Sequence, residues 1–233
     1  VKKYRISSHY GVGGRLPDFD QKTVKDEPMF FSAKPKFAWQ NGGPITRAFL
    51  AAFFGITLAD YAEWELRDGK VGNFCFDSRV HMLMPGWFPC IPGWHHDDVP
   101  RSRGDGQPNY ENPETHAKHC LALVNGDICP TEFAVGLTEM PHVPEGAGPV
   151  YKTWHTCVEM DIASGKLKRE QVPSNHLIFF DCNSFHQGTR AVGRGFRWFG
   201  RISWDAGYEH GRPHHNEIRR QVNVYLENPM EGW

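Results

Sequence analysis

Apolar and polar positions follow two different periods along this chain. From Pro44 the residues Ile45, Ala48, Phe49, Ala52 and Phe53 recur every three or four positions, the spacing of one helix face, with proline where a first turn tolerates it. Gly55 interrupts this helix, and Leu58, Tyr61, Ala62 and Leu66 predict a second helical segment ending near Asp68-Gly69. Beyond it the period shortens. Residues 73–84, 88–91, 120–124, 132–137, 150–160, 166–172, 177–180 and 196–204 read as strands. Asn125-Gly126-Asp127, Ser164-Gly165 and Pro173-Ser174-Asn175 supply turns between them.

The flanks are less regular. Residues 1–43 are rich in glycine, proline and charge, and their patches Met29-Phe30-Phe31 and Phe37-Ala38-Trp39 predict brief strands or extended anchors. Residues 98–119 lack an apolar period and predict a long loop, either a lid over a site or a solvated insertion. The stretch 216–226 fits a helix through Ile218, Val222 and Tyr225 or a strand through Val222, Val224 and Leu226. A helical section followed by about eight short strands predicts a mainly β fold, a sandwich or barrel with flanking helices.

Composition narrows this picture. The length, 233 residues, suits one domain over 1–233, with a β core at about 71–205 and a helical or irregular N-terminal elaboration. Sixteen Phe and eight Trp beside 24 Gly and 17 Pro describe an aromatic core cut by turns. With 26 basic and 27 acidic side chains, no broad field attracts nucleic acid or an anionic membrane. Cys75, Cys90, Cys120, Cys129, Cys157 and Cys182 form no Cys-x-x-Cys pair, so free thiols and a cytoplasmic location are expected. No apolar run approaches the ~20 residues of a membrane span, and Val1-Lys2-Lys3-Tyr4-Arg5 does not open a secretory signal.

The candidate chemistry starts at Trp94-His95-His96-Asp97-Asp98. On an extended segment, side chains two apart share a face, so His95 and Asp97 converge while His96 and Asp98 form the other pair of the same spacing. The third candidate ligand, His186, ends an apolar run 89 residues after Asp97. Arg197 and Arg201 follow within 196–204, where alternation puts Arg197, Phe199, Arg201 and Ser203 on one face. Arginines facing inward require an anionic partner.

His-x-Asp, a distal His, and an Arg about ten residues on resemble the Fe(II)/2-oxoglutarate-dependent dioxygenase superfamily, over roughly residues 79–204. The lead-in Pro92-Gly93-Trp94 favours the His95/Asp97 register by the same resemblance. The resemblance implies a double-stranded β-helix, the cupin-like jelly roll, with Fe(II) held by His95, Asp97 and His186. It implies 2-oxoglutarate as cosubstrate, its C5 carboxylate taken by Arg197 with support from the Thr131 hydroxyl, and O2 as oxidant. Decarboxylation to succinate would be coupled to hydroxylation of a small or medium polar molecule, with desaturation and cyclisation open. Arg201, Arg101, Arg103, Tyr110 and Asp98 are the candidate substrate contacts. Two other functions compete: oxidation of a nucleobase, with Arg101, Arg103, Arg212, Arg219 and Arg220 as a basic patch, and a cupin-type metal-binding protein without oxygenase activity.

Overall fold

The computed structural model describes residues 2–55, 74–205 and 215–226, so the expected helical segment at 58–66 lies outside the described residues. Among the described residues there are eleven strands and four α-helices. The strands are β1 (Lys3–Ser8), β2 (Tyr10–Arg15), β3 (Met29–Phe31), β4 (Cys75–Leu83), β5 (Lys118–Val124), β6 (Thr131–Pro141), β7 (Lys168–Gln171), β8 (His176–Asp181), β9 (His186–Gly188), β10 (Gly195–Trp204) and β11 (Glu217–Arg219). The helices are α1 (Gln21–Asp26), α2 (Pro35–Asn41), α3 (Pro44–Phe54) and α4 (Val150–Ala163).

The core is mainly β and antiparallel. One sheet has the order β2-β8-β5-β10-β4. In the other, β6 pairs with β1, β7 and β9, and a single bridge adds His95 beside His186. Along the chain, β4, the His95 segment, β5, β6, β7, β8, β9 and β10 fall into the two sheets in the alternation of a double-stranded β-helix. Leu121, Leu123, Ile178 and Phe180 of the larger sheet meet Phe133 of the smaller one in a shared apolar cluster. The sheets therefore face each other.

Each outer face carries helices. Phe76, Val80, Ala122, Val124, Trp198 and Ile202 back the larger sheet and pack on Trp39 and Phe49 from α2 and α3. A Cβ on Gly200 would come within 2.1 Å of the Trp198 indole, so the missing side chain makes room for that ring. The α3 helix begins at Pro44 as its period predicts and stops at Gly55 in the left-handed region, φ 63°. Its first turn is capped from a distance: the buried Glu27 carboxylate accepts from the backbone N–H groups of Gly43, Ile45 and Thr46 at 3.1, 3.2 and 2.8 Å.

Four expectations are corrected. Residues 150–160 form α4, not a strand: their aromatic and β-branched content favours strand, but Val150, Trp154 and Val158 recur every fourth position and bury one helical face. Residues 88–91 make only the bridge Phe88–Tyr225. Residues 3–15 are core strands, since β1 pairs with β6 and β2 with β8, and Phe37-Ala38-Trp39 is helical within α2. The 29–31 run is the brief strand β3, paired with β11.

Candidate metal centre and its cavity

His95, Asp97 and His186 come together between the sheets, each with a ligand atom within 4.8 Å of the others. The His95 and His186 backbones exchange N–H···O bonds of 3.1 Å in both directions, which brings the rings to 4.5 Å centroid separation. The α4 helix fixes the segment: the Trp94 indole donates to Glu159 at 2.7 Å, and the Tyr151 hydroxyl donates to the His96 carbonyl at 2.9 Å.

The alternating register decides which residues meet His186. His96 points to the opposite side, packs on Phe185 at 3.9 Å between centroids and hydrogen-bonds the Tyr110 hydroxyl at 2.7 Å. Asp98 sits at φ 52° with a carboxylate oxygen 3.8 Å from His119 Nδ1 and 4.0 Å from Arg201 Nη2, and does not line the cavity.

The donor set is arranged for a cation. His95 Nδ1 lies 2.9 Å from the Gly93 carbonyl and His186 Nδ1 lies 3.0 Å from the Ser184 carbonyl. A carbonyl only accepts, so each Nδ1 carries a proton, which leaves Nε2 as the ring atom that can offer a lone pair to a metal. The Nε2 of His186 stands 3.2 Å from Asp97 Oδ2, within hydrogen-bond distance, and a metal ion bound there would take the place of any proton between them. Burial, then the neighbouring His186, pushes His95 down to about 4, so its ring is neutral near pH 7. Burial alone would raise the Asp97 carboxyl, but Arg201 and His186 outweigh it and hold Asp97 well below the usual range. Arg201 donates to Asp97 directly.

The cavity around this cluster has a volume of about 140 Å³. The larger sheet contributes Asp77, Arg79 and His81 from β4, Leu121 from β5, and Arg197, Phe199 and Arg201 from β10; the smaller sheet contributes Thr131, His186 and Gly188. Arg197 is 2% exposed, and its only hydrogen bond among the described residues is to the Thr131 hydroxyl at 3.0 Å. No carboxylate of a described residue lies within ion-pair distance of it, and burial lowers its pKa. A buried guanidinium with one neutral partner is a seat for an anion.

Of the remaining expected substrate contacts, Arg201 lines this cavity and three do not. Tyr110 bonds His96 and Tyr151; Arg103 pairs with Asp105 at 2.9 Å and donates to the Val143 carbonyl; Arg101 is exposed. Arg103 and Tyr110 instead line a separate cavity of about 340 Å³ beside α4. Asp77, Arg79 and His81 went unread in the sequence. Their signal is the alternation Asp77-x-Arg79-x-His81 around buried Ser78 and Val80, in register opposite Arg201, Phe199 and Arg197.

Fold and site together define a double-stranded β-helix with a two-histidine, one-carboxylate cluster between its sheets. No protein-family model matches the chain, and no curated protein matches it. Among solved structures, HygX from Streptomyces hygroscopicus with nickel and 2-oxoglutarate bound is similar at 13% identity and TM-score 0.39, over 94% of this chain and 93% of that one. SnoK, an α-ketoglutarate-dependent carbocyclase of nogalamycin biosynthesis, gives 12% and 0.39 over 96% and 90%. An N-substituted L-amino acid dioxygenase from Burkholderia ambifaria AMMD gives 15% and 0.34 over 80% and 78%. Likenesses this distant carry no argument about activity. Among the described residues no helix is long and apolar enough to cross a membrane, and all six cysteines are free thiols.

Proposed function

We propose that this chain is an Fe(II)- and 2-oxoglutarate-dependent oxygenase that hydroxylates a small or medium polar molecule. The observation that carries the reading is Arg197, a buried cation without a carboxylate partner among the described residues, in the same cavity as His95, Asp97 and His186. A metal cluster alone would serve many proteins. A second, deep anion seat suits a dicarboxylate that reaches from the metal to the guanidinium.

In this reading His95, Asp97 and His186 would hold Fe(II), two imidazoles and one carboxylate being a donor set suited to that ion. The bound metal, with 2-oxoglutarate and O2, supplies the oxidising power that decarboxylates the cosubstrate to succinate and oxidises a substrate C–H bond. The protein's own residues bind and orient. Gly93 and Ser184 carbonyls fix the imidazole tautomers, and Arg201 holds the Asp97 carboxylate ionised. Arg197 takes the far carboxylate of 2-oxoglutarate in two parallel hydrogen bonds, with Thr131 steering the guanidinium. Phe133 and Phe180, with ring centroids 5.5 and 5.1 Å from the His186 ring, pack on that ligand and would exclude water from it.

The test is succinate production by purified protein supplied with Fe(II), 2-oxoglutarate and air. Slow formation even without primary substrate is expected, lost when iron is chelated and lost in His186→Ala. Succinate that survives both would remove the proposed site from the reaction.

A further inference from the structure

The metal cavity shares Arg79 and Pro89 with a second cleft of about 390 Å³, which lies between β4 and residues 217–225. We propose that this cleft anchors the primary substrate through an anionic group, a carboxylate or a phosphate, seated on Arg79. The inference rests on the oxygenase reading only for what then happens to the substrate.

Arg79 differs from the arginines around it. Arg201 is engaged with Asp97, and Arg219 contacts Asp77 at 3.4 Å, the Phe30 carbonyl at 2.9 Å and the Phe31 ring face at 4.4 Å. The side chain of half-buried Arg79 makes no hydrogen bond or ion pair with any described residue. Arg219 and Arg220 line the same cleft, and Glu217 is the one carboxylate lining it among the described residues. Burial and the charge of Arg79 both press the Arg219 pKa below its ordinary value. Positive groups gathered without enough counter-charge repel each other, and an anion relieves that repulsion.

Position makes the seat useful. Across the ladder Asp77 pairs with Arg201 and Arg79 with Phe199. Arg79 is therefore one same-face step, ~7 Å, along β4 from the residue opposite Arg201, the partner of Asp97. A molecule held by its acid end at Arg79 lies along the wall that leads to the metal donors, while Arg197 sits two same-face steps from Arg201 on β10. The two arginines divide the anions between them, Arg197 taking the cosubstrate and Arg79 the substrate. The cleft has the volume of a small-molecule site.

Inorganic phosphate and acetate serve as probes, titrated calorimetrically into the parent protein, Arg79→Ala, Arg79→Lys and Arg197→Ala. Arg79→Ala is expected to weaken binding of at least one probe by about tenfold or more, Arg79→Lys by less, and Arg197→Ala by under about threefold. The 2-oxoglutarate affinity of Arg79→Ala should be unchanged. Probe binding untouched by Arg79→Ala, or lost in Arg197→Ala instead, overturns the proposal. So does a fall in the unfolding midpoint of Arg79→Ala, because a residue without a partner leaves nothing stranded when it is truncated. Anion binding needs neither iron nor turnover, so an inactive protein that still binds phosphate through Arg79 refutes the oxygenase reading alone.

Discussion

Replacing Arg197 with Met should move affinity and stability in opposite directions. The guanidinium is 2% exposed, its hydrogen bond to Thr131 is neutral, and no described carboxylate pairs with it. Burying a charge without a counter-charge costs several kcal/mol, so a hydrophobic side chain of similar volume should leave the unliganded protein as stable or about 1–4 kcal/mol more stable. Binding responds the other way. Truncating one partner of a buried, hydrogen-bonded charge pair costs about 2–5 kcal/mol, which is a loss of roughly 30-fold to several thousand-fold in 2-oxoglutarate affinity. Calorimetry on anaerobic Fe(II)-loaded protein reads the affinity, and urea unfolding without ligand reads the stability. With 2-oxoglutarate at 100 times its dissociation constant, the parent protein should gain about 2.7 kcal/mol, of which the variant should keep at most about a third at that concentration. Unchanged affinity with a stability loss of about 3–5 kcal/mol would refute the reasoning, because it would make Arg197 half of a structural ion pair.

Other predictions follow from the same geometry. His95→Ala should lose iron binding, whereas His96→Ala should keep it while losing stability by about 1–3 kcal/mol, since His96 is buried against Phe185 and bonded to Tyr110; metal content and melting curves separate the two. Buried His81 and His119 are pushed down to about 3 and about 4, chiefly by burial and then by Arg197 and Arg201 respectively. The unfolded chain takes up these protons first, so stability should fall as pH drops from about 6.5 towards 4, by up to about 1.4 kcal/mol per pH unit for each ring; urea midpoints flat across that window would contradict this. Glu27→Ala should destabilise the fold by about 2–4 kcal/mol, because three backbone donors at the start of α3 lose a charged acceptor, and Glu27→Gln should recover part of the loss.

How much of this was legible in the sequence depended on whether one face of an element dominates its environment. In β10 the inward Arg197, Phe199 and Arg201 alternate with outward Trp198, Gly200 and Ile202, so the period of two was plain and its register held. In α3 the period, the leading proline and the terminal glycine agreed. Conflict between levels caused the misreading of α4, where Val150, Tyr151, Trp154 and Val158 favour strand individually but recur as a helix face. The strands β1 and β2 carried little local signal: β2 includes Gly11, Gly13 and Gly14, and its strand character comes from pairing with β8. The length of residues 98–119 fitted a lid or a solvated insertion equally, and Arg103 and Tyr110 in fact face the cavity beside α4. Asp77, Arg79 and His81 were missed for another reason, since their polar alternation reads as a solvated strand face until a facing sheet encloses it.

The central claim, that His95, Asp97, His186 and Arg197 together hold iron and 2-oxoglutarate, is tested most directly by anaerobic titration of the purified protein with Fe(II) and 2-oxoglutarate. The account predicts a visible charge-transfer band that needs both components and saturates at one iron per chain. It also predicts no band in His186→Ala, and a band in Arg197→Met only at far higher 2-oxoglutarate. Iron that binds without any such band, or a band unchanged by both substitutions, would contradict the account.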